Sequence, residues 1–185
     1  MRRILESTRV SLDGVIGNLQ AWGMDYLDAD AQKAASAQLS RSDAMLMGRN
    51  TYQALSTAWS TRKGEFAETI NAIRKYVVSS TLRRTDWNNS TLLSRDLITE
   101  VTKLKQQDGQ DLVIYGHGPL GQTLLEHGLL DEIRLSVHPI IVGTGTLFYR
   151  DAQKKSRLEL VGSEPLPSGV IVLTYRPAAG PHLGL

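Results

Sequence analysis

The chain has no cysteine among its 185 residues. That excludes disulfides, thiolate metal ligands and a cysteine nucleophile; it fits a reducing compartment, so a cytoplasmic protein is expected. Long apolar runs are missing too, since clusters such as PIIVG are of strand length, far short of the roughly 20 residues that cross a bilayer. In the opening MRRILESTRV, Glu6 and Arg9 interrupt any apolar segment behind the two arginines, so it does not read as a signal peptide. Charge of one sign is not in excess: 21 Lys and Arg against 19 Asp and Glu leave a formal +2, with the basic pairs scattered. Neither a membrane nor nucleic acid is therefore expected as a partner. His117, His127, His138 and His182 never fall four residues apart beside a carboxylate, so no catalytic metal is expected.

What is present is the composition of a globular protein, 41% hydrophobic and 22% charged, long enough for one domain with a sizeable core. We expect that domain to span residues 1–177, with 178–185 as a tail. RRILESTRVS reads as a strand broken at Asp13-Gly14. Asp28 to Ser42 suggests a helix capped by Asp28 or Asp30, AMLMG a strand, RNTYQALSTAW a helix and GEFAETINAIRK another, with Phe66, Ile70 and Ile73 on one face. KYVVSS and TLLS follow as strands, then a helix from Ser94 as N-cap to a stop at Gly109, strand DLVIY, and helix PLGQTLLEHG ended by Gly128. EIRLSVHP alternates Ile133, Leu135 and Val137 with Arg134, Ser136 and His138, the mark of a strand with one covered face. RLELVGSE and VIVLTY complete a hairpin. The fold class that results is α/β, with a mainly parallel sheet flanked by helices and antiparallel strands at its C-terminal edge.

Two strand-to-glycine-to-helix junctions carry the chemistry. YGHGPLG matches G-x-G-x-x-G, yet the dinucleotide fingerprint also needs an acid at the end of the next strand, and that strand ends SVHP. MLMGRNTY is the second junction; Gly48 lets backbone approach a ligand, and Arg49 and Thr51 stand beside the free N–H groups of a helix start. A dinucleotide bridging both helix starts satisfies the pattern. Ser79 and Ser80 at a third strand end, with Arg83 and Arg84 beyond, suit a 2′-phosphate, and so NADP over NAD.

SLDGVIG, MGRNTY, YVVSS and IYGHGPLGQTLLEHGLLDEIRLSVHPIIVGTGTLF, in that order, resemble the motif series of the dihydrofolate-reductase-like superfamily. The nearest branch is that of the C-terminal reductase domain of the bifunctional riboflavin deaminase-reductase. The resemblance covers about Ile4 to Tyr175. It implies a dihydrofolate-reductase-like mixed sheet, NADPH along the strand ends, and hydride transfer to a small, flat heterocyclic or carbonyl substrate, pterin-like or pyrimidine-like. Carried onto this chain, Ile16 and Gly17 lie near the nicotinamide, while Gly48, Arg49 and Thr51 meet the phosphates and the 2′-phosphate. Ser79 and Ser80 face the adenosine, and Gly116, His117, Gly118, Pro119 and Leu120 hold the pyrophosphate and nicotinamide side. The related domains are typically homodimers, which implies one here. Relatives often have Gly-Gly, with a strained or cis peptide, where this chain has Gly116-His117.

Plainer roles stand beside these. Asp13 is a catalytic candidate or a turn former, and Asp28, the other catalytic candidate among Asp25, Asp28 and Asp30, is equally an N-cap. Trp22 and Tyr26 wall the substrate pocket or cover core. Ser79 and Ser80 bind adenosine or cap a turn, and His117 is expected in exposed loop. Phe148 and Tyr149 are expected at a dimer contact or a pocket loop. The alternative to a reductase is a non-catalytic NADP-binding or sensing module. The zinc signature of the deaminase is absent from the sequence.

Overall fold

The continuous apolar runs of AMLMG and DLVIY are buried residue after residue, which puts a packed layer on each side of a single sheet. A computed structural model describes residues 1–93, 96–149 and 155–178, so the expected tail lies outside the described residues from 179 onward. The strands are β1 (Ile4–Ser11), β2 (Ser42–Gly48), β3 (Arg74–Val78), β4 (Ser90–Leu93), β5 (Asp111–Tyr115), β6 (Glu132–His138), β7 (Leu158–Pro165) and β8 (Ile171–Pro177). The helices are α1 (Leu19–Trp22), α2 (Ala29–Ser40), α3 (Arg49–Trp59), α4 (Glu65–Ala72), α5 (Leu97–Gln106) and α6 (Gly118–Glu126), with a 3-10 turn at Met24–Tyr26. Their order in the sheet is β4-β3-β2-β5-β1-β6-β8-β7. The first six are mutually parallel, whereas β8 is antiparallel to both β6 and β7, as the alternation of elements predicts.

One face packs Ile4, Leu46, Leu112, Ile114 and Ile133 against Val101 and Leu104 of α5 and Leu120, Leu124 and Leu125 of α6. The other packs Met45, Met47, Val77 and Val113 against Leu39 of α2, Tyr52 of α3 and Ile70 of α4. Asp28 caps α2, its Oδ1 accepting from Ala31 N at 2.8 Å, so of the two expected caps the structure uses Asp28. Gly128, at φ 66, closes α6 by letting its own N–H reach Leu125 O at 3.1 Å and that of Leu129 reach Leu124 O at 2.8 Å.

Two boundaries differ from expectation. Ser94, the expected cap of α5, lies outside the described residues, and Asp96 takes that role by accepting from the N–H groups of Ile98 and Thr99. Helix α5 stops at Gln106, where Gln107 turns extended at ψ 156, and Gly109 lies beyond its end, as expected. Helix α4 ends at Ala72; Arg74 and Lys75 belong to β3, where the Lys75 ammonium donates to the carbonyls of Asn71, Ile73 and Asn88 at 2.8–3.0 Å. A buried ammonium has to be hydrogen-bonded, and the strand places these acceptors around it.

Candidate functional site

Strands β2 and β5 are neighbours whose chains leave toward opposite faces. Helix α3, after β2, adds Tyr52 to the layer of α2 and α4, and α6, after β5, adds Leu124 to the other layer. Such a divergence opens a crevice at the carboxyl ends of the two strands, where open α/β sheets take their ligands. Gly48 and Gly116 stand at its two lips. An open cavity of about 650 Å³ lined by Asp43, Arg74, Trp87, Asn89 and Ser90 lies instead at the amino ends of β2, β3 and β4.

The lips are open where glycine stands. A Cβ built on Gly48, Gly116 or Gly118 meets no atom within 4 Å, so the space in front of all three is free for a ligand. Gly116 and Gly118 have φ of 78 and 80, a region where glycine carries no Cβ penalty; the Gly116–His117 peptide is trans. Arg49, the first residue of α3, is exposed and donates through Nη1 to Thr81 Oγ1 at 2.9 Å. That clasp joins the α3 start, including half-buried Thr51, to the turn after β3. In that turn Ser79 is buried and its Oγ accepts from Thr81 N at 3.2 Å and Leu82 N at 3.0 Å, a cap, while Ser80 is exposed.

His117 corrects the expectation of an exposed loop residue. It is 8% exposed, and its Nδ1 lies 2.8 Å from both carboxylate oxygens of Glu6, itself fully buried on β1. The ring nitrogen therefore donates, Thr8 Oγ1 adds a 3.2 Å bond to Glu6, and the ring lies 4.4 Å from Phe148 and 4.6 Å from Tyr149, centroid to centroid. Helix α6 crosses this pair at Gly121, where a Cβ would stand 2.2 Å from Glu6 Oε2 and 2.7 Å from His117 Nδ1. The third glycine of G-x-G-x-x-G is thus required by the buried Glu6–His117 contact, and the His117 ring faces the core, leaving only its backbone at the crevice. Burial and the nearby charges of Glu6 and Glu126 push the Tyr149 phenol up to about 12.

The turn after β1 closes the site on its other side. Asp13 accepts from Ser11 Oγ at 2.6 Å, Val142 N at 3.1 Å and Gly143 N at 2.7 Å. These bonds, the Ser11 hydroxyl first, hold its carboxyl down at about 2. Val15 bridges Leu147 and Ile16 N donates to Thr146 O at 2.8 Å, so Ile16 and Gly17 are fixed against the segment after β6. The Trp22 indole donates to Gly17 O at 2.8 Å. Trp22 and Tyr26 meet the ring of His138 edge-on, with centroids 5.4 and 5.2 Å away. Sequence reading missed Glu6, Gly121, Thr81 and His138. Glu6 alone had a visible signal, a carboxylate in register with inward Ile4; its partner is 111 residues away.

Comparison with known proteins gives the family and the fold. The model of a family described as the RibD C-terminal domain matches residues 3–172. The chain is 31% identical over 183 residues to Uncharacterized protein YyaP of Bacillus subtilis strain 168, covering 94% of each. Among solved structures, a putative riboflavin biosynthesis protein from Shewanella sp. PV-4 superposes with a TM-score of 0.75 at 19% identity, over 95% of this chain and 99% of that one. A diaminohydroxyphosphoribosylaminopyrimidine deaminase/5-amino-6-(5-phosphoribosylamino)uracil reductase of Thermotoga maritima gives 0.65 at 15% identity, over 96% of this chain and 57% of its own. At these identities the two structures establish the fold.

Two outcomes follow from the site's packing. Gly121→Ala is expected to destabilise the fold by roughly 1–3 kcal/mol, as overpacking does, while Gly48→Ala, whose Cβ enters free space, unfolds in urea at the wild-type midpoint; equal midpoints would contradict the packing. Because the folded Asp13 carboxyl lies below its ordinary 3.8, its contribution is complete above about pH 4 and lost as pH falls toward 2. Hydrogen exchange at the Val142 and Gly143 amides should therefore hold constant from pH 6 to 4, after correction for intrinsic rates, and lose protection only nearer pH 2. In Asp13→Asn the protection should be weaker across the whole range.

Proposed function

We propose that this chain, which belongs to the RibD C-terminal domain family, is an NADPH-dependent reductase of a small, flat heterocyclic or carbonyl substrate, pterin-like or pyrimidine-like. The observation that carries the proposal is the crevice between β2 and β5, with a helix start and a Cβ-free glycine on each side. Helix N-termini favour phosphate through free N–H groups and the positive end of the helix dipole.

Each part of the site has a task. Gly48, Thr51 and the backbone of Gly116, His117, Gly118, Pro119 and Leu120 cradle the pyrophosphate. Arg49, braced by Thr81, takes the 2′-phosphate, and Ser79 and Ser80 shape the turn that receives the adenosine. Ile16 and Gly17, held by Thr146 and Trp22, lie beside the nicotinamide, with Trp22 and Tyr26 bounding the substrate. NADPH, when bound, supplies the hydride; the protein supplies position and electrostatics. Asp13 holds the loop after β6 closed over this end of the sheet, and Asp28 fixes the start of α2.

A homodimer belongs to the same proposal. Leu160, Val161 and Ile171 of the C-terminal hairpin are 53%, 41% and 43% exposed, and β7 ends the sheet. An apolar edge of this kind invites a self-complementary contact.

Arg49→Glu should weaken NADP binding tenfold or more in calorimetry, since a charge-assisted hydrogen bond contributes roughly 1.5–3 kcal/mol, while NAD binding changes little; unchanged NADP affinity would remove Arg49 from the site. NADP binding without oxidation of NADPH against any pterin, pyrimidine or quinone would favour the non-catalytic module. Sedimentation equilibrium over a hundredfold concentration range should give a mass near twice 20.4 kDa; a single species at the monomer mass would rule out the dimer.

A further inference from the structure

The face of the sheet that α2, α3 and α4 cover is built in two halves. Over β2, β3 and β5 it is apolar and helix-packed, and no residue of β1, β6 or β8 belongs to that core. Pairing register starts this half with buried Leu5 and Glu132, the latter bonded to Arg134, and then puts Ser7, Arg9 and Ser11 of β1 on the same face, beside Tyr115 of β5 and Arg134, Ser136 and His138 of β6. The alternation of EIRLSVHP thus has a polar face that is not simply turned to bulk water: Arg9 and Ser136 are half-buried, and Ser11 and His138 are buried. Trp22 and Tyr26 stand over its upper end through His138.

Within this stripe Arg9 is the anomaly. Arg3 and Arg134 share Glu132, Arg2 pairs with Asp43 and Arg84 with Asp86, but no carboxylate among the described residues pairs with Arg9. Beside it the Tyr115 hydroxyl is buried with no hydrogen-bond partner. Burial pushes the Arg9 guanidinium below its usual range, opposed by Tyr115, and burial pushes the Tyr115 phenol up to about 12; the phenol is a donor at neutral pH. Taking a cation partly out of water without a counter-ion is costly, and an incoming anion offsets that cost.

We propose that Arg9, with the Tyr115 hydroxyl beside it, anchors a carboxylate carried on the ring of the flat substrate. One unpaired cation matches a single negative charge; a doubly charged phosphate ester would leave surplus charge on a half-buried face. A guanidinium also meets a carboxylate through two parallel hydrogen bonds, which fixes the plane of the attached ring. The anchor lies next to the strand ends where the nicotinamide is placed above, and to that extent it rests on the reductase reading. It names the substrate class that reading leaves open: a planar ring acid.

Calorimetry with two matched pairs of probes tests this, orotate against uracil and uridine 5′-monophosphate against uridine, on wild type, Arg9→Gln and Arg9→Lys, each checked for a wild-type melting curve. Orotate should bind at least tenfold more tightly than uracil to wild type, the ratio should fall to near one in Arg9→Gln, and Arg9→Lys should keep part of it. The phosphate should add less than the carboxylate. A ratio near one in wild type, no detectable binding of orotate, a ratio unchanged in Arg9→Gln, or a larger gain from the phosphate would each overturn the anchor. NADP affinity is measured on the same samples. Its absence in wild type would defeat the reductase reading while the orotate ratio stands or falls by itself, and its loss only in Arg9→Gln would move Arg9 into the cofactor site and overturn the anchor.

Discussion

A carboxylate that is fully buried in a sheet has to be met by a donor, and the Glu6–His117 pair is the contact around which the ligand end of this protein is arranged. Breaking such a pair by removing one partner leaves an uncompensated buried group, at a cost of roughly 3–5 kcal/mol. The pair pulls the loop after β5 down onto β1, which sets where α6 begins. It requires a bare Cα at Gly121 as the helix passes overhead. It also seats the His117 ring against Phe148 and Tyr149, linking the loop between β6 and β7 to the same point. A backbone cradle is useful only if it is rigid, and here the rigidity comes from beneath.

The second organising feature is the asymmetry of the sheet. Both faces are needed for stability over β2, β3 and β5, so both are apolar there and helices cover them. Over β1 and β6 one face is not part of the helix-packed apolar core and carries hydroxyls, two guanidinium groups and an imidazole. The crevice between β2 and β5 adjoins this released half, because β1 lies directly beside β5. A ligand spanning the crevice and a second ligand on the polar face would therefore meet at the carboxyl end of β1, where Asp13 closes the turn. That juxtaposition is what a hydride-transfer site needs.

Much of the fold was legible because strand and helix periods differ and the glycines fall at their junctions. After Glu132 the elements stop alternating and strands follow one another, ending in the hairpin of β7 and β8 that forms the sheet's antiparallel edge. Helix ends were less legible: Asp96 and Ser94 are both good caps, and local composition does not rank them, while Lys75 fits the end of the helical stretch and the start of the strand KYVVSS alike until its three carbonyl partners are known. At the strand-to-helix junctions the sequence was a better guide to backbone position than to side-chain direction. Gly48 and Gly116 stand where the pattern put them, but His117 turned inward, since its partner is distant in sequence and close only after β1 and β5 pair. Arg9 and Tyr115 were invisible for the same reason; each looks ordinary in its own strand, and only the register between strands sets them side by side.

Amide chemical-shift mapping with NADP tests the central assignment most directly. The account predicts that the largest changes fall together at Gly48 to Thr51, at Ser79 to Thr81 and at Gly116 to Leu120, three segments separated in sequence and joined only by the crevice. Changes concentrated at Asn89 to Thr91, around the cavity at the opposite end of the strands, or no change at saturating cofactor, would contradict it.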